Sequence, residues 1–150
     1  MFGLARRYVK TALLFFLCGL ALGGWTLASQ LAGWAVNPVI ISAHTHLTLF
    51  GFVIMLIMGV AYWMFPRPAR EDLRYSPRIA EINYWLITIG TAMRAAGELS
   101  MAVWPSGHFW APVAAGGALQ IGSGVLFCWN IWSRIRAVGS QAREASGERF

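Results

Sequence analysis

Residues 39–65 read VIISAHTHLTLFGFVIMLIMGVAYWMF, from Val39 to Phe65, and this stretch decides the fold. No Asp, Glu, Lys or Arg interrupts it. A bilayer core needs about 20 mostly apolar residues per helix, because every backbone polar group must be hydrogen-bonded within the segment. Working outward, three more stretches qualify, at about 8–29, 80–103 and 109–133. Turn chemistry separates the four: Asn37-Pro38, then Pro66-Arg67-Pro68, then Trp104-Pro105-Ser106-Gly107. The expected fold is all-α, an integral membrane four-helix unit over residues 1–137, followed by a polar cytoplasmic tail over 138–150.

Composition agrees. Of 150 residues 57% are hydrophobic and 12% charged, against roughly 45–50% apolar and 25% charged in soluble domains. The mean hydropathy is +0.55. A soluble globule is excluded, and an aromatic share of 14% without low-complexity tracts excludes collagen-like and disordered chains. Cys18 and Cys128 each sit in an apolar stretch, and neither a C-x-x-C-H signature nor paired zinc spacing occurs.

The net charge of +6 is a topology signal. Arg6, Arg7 and Lys10 precede the first span; Arg67, Arg70, Arg74 and Arg78 lie between the second and third; Arg134, Arg136 and Arg143 follow the fourth. The other two loops carry no charge. By the positive-inside rule both termini face the cytoplasm, which predicts a multi-pass protein of a bacterial inner membrane with the lipid bilayer, not nucleic acid, as its partner. The first span also resembles a secretory signal, with a basic start and small residues near Ala28-Ser29; we read it as a retained helix.

Intramembrane ionisable residues are costly, so each is a functional candidate. They are His44 and His46 on the second span and Glu81, Arg94 and Glu98 on the third. Glu81 is expected to reach the interface. At a rise of about 1.5 Å per residue, both histidines fall roughly 8–10 Å below the outer boundary, in one layer with Glu98. Arg94 is one turn deeper and spaced to pair with Glu98 at i, i+4. Two readings follow for Arg94: a structural ion pair, or a contact to an anionic group such as a heme propionate.

On a helix, an H-x-x-x-H pair shares a face and converges on one metal. The H-x-H here differs. At about 100° per residue, His44 and His46 leave the helix some 200° apart, into separate pockets. Alone, the pattern leaves packing and ligand roles open.

The run from His44 through Gly51, continuing to Gly59, Tyr62, Pro66 and Arg67, resembles the heme-copper oxidase catalytic subunit, particularly its C-type cytochrome oxidase and nitric oxide reductase branches. That subunit has twelve helices in three arcs of four about a pseudo-threefold axis, so one arc is the size of this chain. The resemblance implies that His44 matches a high-spin heme ligand and His46 a low-spin heme ligand, with His44 matching equally well the low-spin ligand of the first arc. The family's copper cluster has no counterpart, since only His108 remains, in an outer loop.

Joined to the geometry, the resemblance implies a homo-oligomer, best a trimer, whose heterologous interfaces bring His44 of one copy and His46 of the next to one heme b iron. Each free imidazole N–H then needs an acceptor, for which Thr48, Ser42 or a backbone carbonyl are candidates. Gly19, Gly23, Gly24, Gly116, Gly117, Gly122 and Gly124 are read as packing positions, and Trp25, Trp34, Trp104 and Trp110 as an interfacial belt. The expected function is electron transfer, from a quinol or to a periplasmic acceptor. An oxygen- or nitric-oxide-reactive heme enzyme is the alternative, and a heme-free module that binds copper or acts structurally is the third reading.

Overall fold

The computed structural model describes residues 3–65, 76–105, 108–132, 134–135 and 146–147. The Pro66-Arg67-Pro68 turn, Arg67, Arg70, Arg74, Arg136 and Arg143 lie outside these, as does the 138–150 tail apart from Ser146 and Gly147. The described residues form helices and connecting turns. The first span is α1 (Gly3–Leu31). The second is one rod in three parts: α2 (Pro38–His46), a π-helical stretch (Leu47–Ile54) and α3 (Met55–Met64). The third is α4 (Pro77–Val103) and the fourth α5 (Trp110–Trp132).

Local chemistry sets the starts. Asn37 precedes Pro38, and its side chain accepts from the Val39 N–H at 3.0 Å, capping α2 while proline fills a position that needs no donor. Ser76 and Pro77 repeat the device at α4, with the Ser76 hydroxyl accepting from Arg78 N–H at 3.3 Å. The chain leaves α1 through Gly33, whose φ of 73° few other residues adopt.

A uniform α-helix was expected over the second span. Instead, the chain widens into π turns directly after His46. Gly51 lies in this stretch, and a Cβ there would meet Phe15 Cβ at 2.7 Å, so the first span presses close against the widened turn. Such departures from α geometry concentrate at functional sites. Both histidines precede it, so the 100° step between residues applies to them.

The first, second and fourth spans are long and apolar enough to cross a membrane. The third is 27 residues long but more polar, and the reason is where its polar residues go. Asn83, Thr91 and Glu98 are buried, whereas Ile82, Trp85 and Ile89 are exposed. A membrane helix that keeps polar groups on the protein side reads as weakly hydrophobic while presenting an apolar face to lipid.

The spans pack mainly in a row, first on second, second on third, third on fourth, with smaller first-on-third and second-on-fourth contacts. At the end that starts with Arg6 and Arg7, the core is Tyr8, Ala12, Met55, Met58, Tyr62, Tyr84, Ile87 and Ile131. The Tyr8 ring meets Tyr84 edge-on at 5.1 Å and Tyr62 at 5.7 Å. Its hydroxyl donates to the Ala80 carbonyl at 3.1 Å. Beside it, Ser123 donates to Asn83 Oδ1 at 2.7 Å, and Asn83 and Asn130 each donate to the Tyr62 hydroxyl at 3.3 Å. Glu81, expected to reach the interface, is half exposed and paired with Arg7 at 2.9 Å.

Candidate functional site

The second span places its two imidazoles on opposite sides. His44 turns to the first span, where Gly23 leaves room: a Cβ on Gly23 would meet His44 Cε1 at 2.9 Å. His44 Nδ1 donates to the Gly19 carbonyl at 2.8 Å. His46 turns to the third span. Its Nδ1 donates to the Ser42 carbonyl at 2.8 Å and lies 3.5 Å from Glu98 Oε1, while its ring stacks on Phe50 with centroids 5.8 Å apart.

Around His46 the polar groups expected in one layer do come together. Ser42 Oγ donates to Glu98 Oε1 at 2.8 Å, and Arg94 Nε donates to the same oxygen at 3.2 Å. The i, i+4 ion pair is therefore present. Glu98 is buried and its Oε2 has no hydrogen-bond partner. Arg94 uses only Nε on Glu98, and its Nη1 lies over Gly117, where a Cβ would stand 2.7 Å away.

Sequence reasoning named Thr48, Ser42 or a backbone carbonyl as acceptors for the imidazole N–H groups. Two carbonyls take this role, those of Gly19 and Ser42. Thr48 does not: its hydroxyl donates to the His44 carbonyl at 2.9 Å, because a helical threonine finds the preceding turn's carbonyl within reach. Gly19, Gly23 and Gly117 were read as packing positions, and the structure gives Gly23 and Gly117 sharper duties as seats for an imidazole and a guanidinium, while Gly19 packs on Thr48 and lends its carbonyl to His44. The signal lay in their facing His44 and Arg94 across the row, which spacing along one chain segment does not reveal. His108 is exposed, in the turn that precedes the fourth span.

A ring nitrogen that donates Nδ1–H leaves Nε2 as a lone-pair donor. Neither Nε2 has a hydrogen-bond partner among the described residues. This is how metal-bound histidines are held, with the distal N–H fixed on a carbonyl so that the ring's orientation and tautomer are set. The donor set therefore fits axial ligation of a heme iron, and the remaining Arg94 nitrogens fit a carboxylate such as a propionate. Among the described residues no three of His, Cys, Asp and Glu gather as a metal cluster.

Neither a curated protein nor a solved structure matches this chain. A family model does, that of cytochrome c and quinol oxidase polypeptide I, over residues 3–147. That span takes in all four helices and the layer of His44, His46, Arg94 and Glu98, and the chain belongs to this family, the subunit I of the heme-copper oxidases.

Proposed function

We propose that this membrane protein of the heme-copper oxidase family passes electrons through a b-type heme bound by two histidines, His44 of one copy and His46 of the next. The observation that carries the reading is the state of the two imidazoles. Each has Nδ1 tied to a carbonyl and Nε2 free, and the two rings leave one helix on opposite sides. One chain thus offers two separate axial ligands, and a ring of copies pairs them. The four-span unit, 1–137, is the functional domain, and a trimer in a bacterial inner membrane is the assembly it fits.

A heme held by the two imidazoles would supply a one-electron iron couple, and ligation by both histidines would favour electron transfer over substrate chemistry. The chain's own contribution is positional. The Gly19 and Ser42 carbonyls fix the ring tautomers, and Gly23 gives the His44 ring its place. Arg94, held from one side by Glu98, offers its other nitrogens to a propionate. The buried Glu98 carboxylate in turn keeps the guanidinium from recruiting another anion at that edge.

Family membership favours a second reading, in which one histidine alone holds a heme that reacts with oxygen or nitric oxide. Spectra of the purified protein separate the two. A low-spin reduced spectrum unchanged by carbon monoxide is expected, with one heme per chain; ready carbon monoxide binding would select the enzyme. Protein free of heme after expression with ample heme supply would overturn both and leave the heme-free module.

A further inference from the structure

The two imidazoles are tethered alike but surrounded differently. His44 Nδ1 donates to the Gly19 carbonyl at 2.8 Å, and its ring lies against Gly23, so its contacts on that side are a carbonyl and a glycine. Among the described residues no carboxylate lies within ion-pair distance of it. His46 Nδ1 also donates to a carbonyl, that of Ser42 at 2.8 Å, but Glu98 Oε1 stands 3.5 Å from the same nitrogen. The Glu98 side chain is only 4% exposed.

That carboxylate is fixed in place. Ser42 Oγ donates to Oε1 at 2.8 Å and Arg94 Nε donates to it at 3.2 Å. Phe50 stacks on the His46 ring with planes 22° apart, which holds the ring's orientation from its other face. Glu98 Oε2 has no hydrogen-bond partner, so donors neutralise the carboxylate from one side only. Arg94 offsets part of the charge, but Oε1 is the charged atom that touches the ring. A carboxylate beside the distal N–H of a metal-bound histidine makes the imidazole a stronger electron donor, and burial strengthens the interaction by lowering the effective dielectric.

We propose that the two axial ligands of the shared heme are unequal: Glu98, acting through His46, makes that imidazole the electron-rich ligand and sets the iron couple at a lower potential than two carbonyl-tethered histidines alone would give. This rests on the shared-heme reading and deepens it. Ferric heme carries one more positive charge than ferrous heme, so a buried negative charge beside a ligand favours the oxidised state, and axial-ligand character and hydrogen bonding around the ligand are what tune a heme iron. Glu98 does not ligate the iron; it is a positioning residue. Because each site takes one histidine of each kind, every heme in a ring of copies has the same polarity, with its electron-rich side on the copy that supplies His46.

Glu98→Gln keeps an acceptor oxygen for Ser42 and removes the charge. In a redox titration of the purified heme-loaded protein it should lower the ratio of oxidised to reduced heme at a given poise about tenfold, a rise of about 59 mV for a one-electron couple. Ser42→Ala takes a donor off the carboxylate and leaves its charge, so it should move the potential the other way, whereas a mere loss of packing moves both variants in one direction. An unchanged midpoint in Glu98→Gln, or a rise in Ser42→Ala, overturns the proposal, and Ser42→Ala carries the test alone if Glu98→Gln does not fold. Proton NMR of the reduced protein with isotope-labelled histidine, under carbon monoxide where that binds, is a second readout that needs no heme. The His46 Nδ1 proton should move upfield in Glu98→Gln while that of His44 stays in place; an equal response of the two overturns the inequality. The failures are distinct. A two-histidine spectrum in the wild type with none of these shifts removes only the role of Glu98, whereas wild-type protein that binds carbon monoxide or carries no heme removes the shared ligation, and the NMR comparison then decides on its own whether Glu98 polarises His46.

Discussion

The basic half of the row and the histidine half are built on opposite terms. In the basic half large side chains interlock, with Tyr8, Tyr62 and Tyr84 ring to ring, and Asn83, Ser123 and Asn130 bonded to one another or to the Tyr62 hydroxyl. In the histidine half glycines take the place of bulk. Gly19, Gly23, Gly116 and Gly117 bring backbones close to His44, Thr48 and Arg94, and ligand-capable atoms keep free capacity: two Nε2 lone pairs and the Glu98 Oε2. The basic half is not fully paired either, since Asn130 Oδ1 has no partner, but its network joins three spans through Tyr62 and Asn83, and such networks specify one packing. On the proposed reading, one half holds the fold and the other binds the heme.

The strongest way to break this contrast is to remove an imidazole. His44→Ala or His46→Ala is expected to abolish the two-histidine heme spectrum at every site of the assembly, because each site takes one of each. Stability should fall by only about 1 kcal/mol, the worth of one ordinary hydrogen bond, as read by denaturant titration in detergent. Full heme occupancy in either variant would end the shared-site model. A smaller effect is expected from Glu98→Leu, which strips the partner from a partly buried guanidinium and the acceptor from Ser42. The loss should be about 3 kcal/mol, as for breaking a buried ion pair. Arg94→Leu in the same chain should restore part of it, since the unpaired charge is then gone. If the double variant is as unstable as the sum of the single ones, Glu98 is not acting through Arg94.

Much of the histidine half was legible because its residues are costly in lipid. His44, His46, Arg94 and Glu98 stand out in apolar sequence, and both the i, i+4 pairing and the opposed directions of the two rings follow from helical geometry alone. The π-helical stretch after His46 was not legible, since Leu47–Ile54 is as apolar as its surroundings and carries no Pro or charged residue that marks the widened turn. Nor was the basic half. Asn83, Ser123 and Asn130 are ordinary polar residues in span-length stretches, and their network exists only once three helices are packed. The third span illustrates the same limit: its hydropathy is depressed by side chains that the fold buries, a fact that composition does not carry.

The basic half is sharpened by Asn83→Leu, which leaves the Ser123 hydroxyl without its acceptor and removes one donor from Tyr62. Interhelical hydrogen bonds in membranes contribute about 1–2 kcal/mol at most, so a loss of that size is expected, with the heme spectrum unchanged. A shifted spectrum at full occupancy would mean that the two halves are coupled.

The smallest effect belongs to the edge of that half, where Arg7 pairs with Glu81 at 2.9 Å and lies over the Tyr84 ring at 5.5 Å. Both side chains are about half exposed, 46% and 50%, so water and salt screen the pair. Exposed ion pairs are worth roughly 0.2–1 kcal/mol, and raising the ionic strength from 0.01 to 0.15 M shortens the screening length from about 30 Å to about 8 Å. Arg7→Met keeps the aliphatic stem against Tyr84 and removes only the charge. It should lower stability by less than about 1 kcal/mol at low salt and by less still at high salt. A loss that ignores salt would place the role of Arg7 in packing on Tyr84 and the first-to-third-span junction, and would make this contact part of the interlocked core.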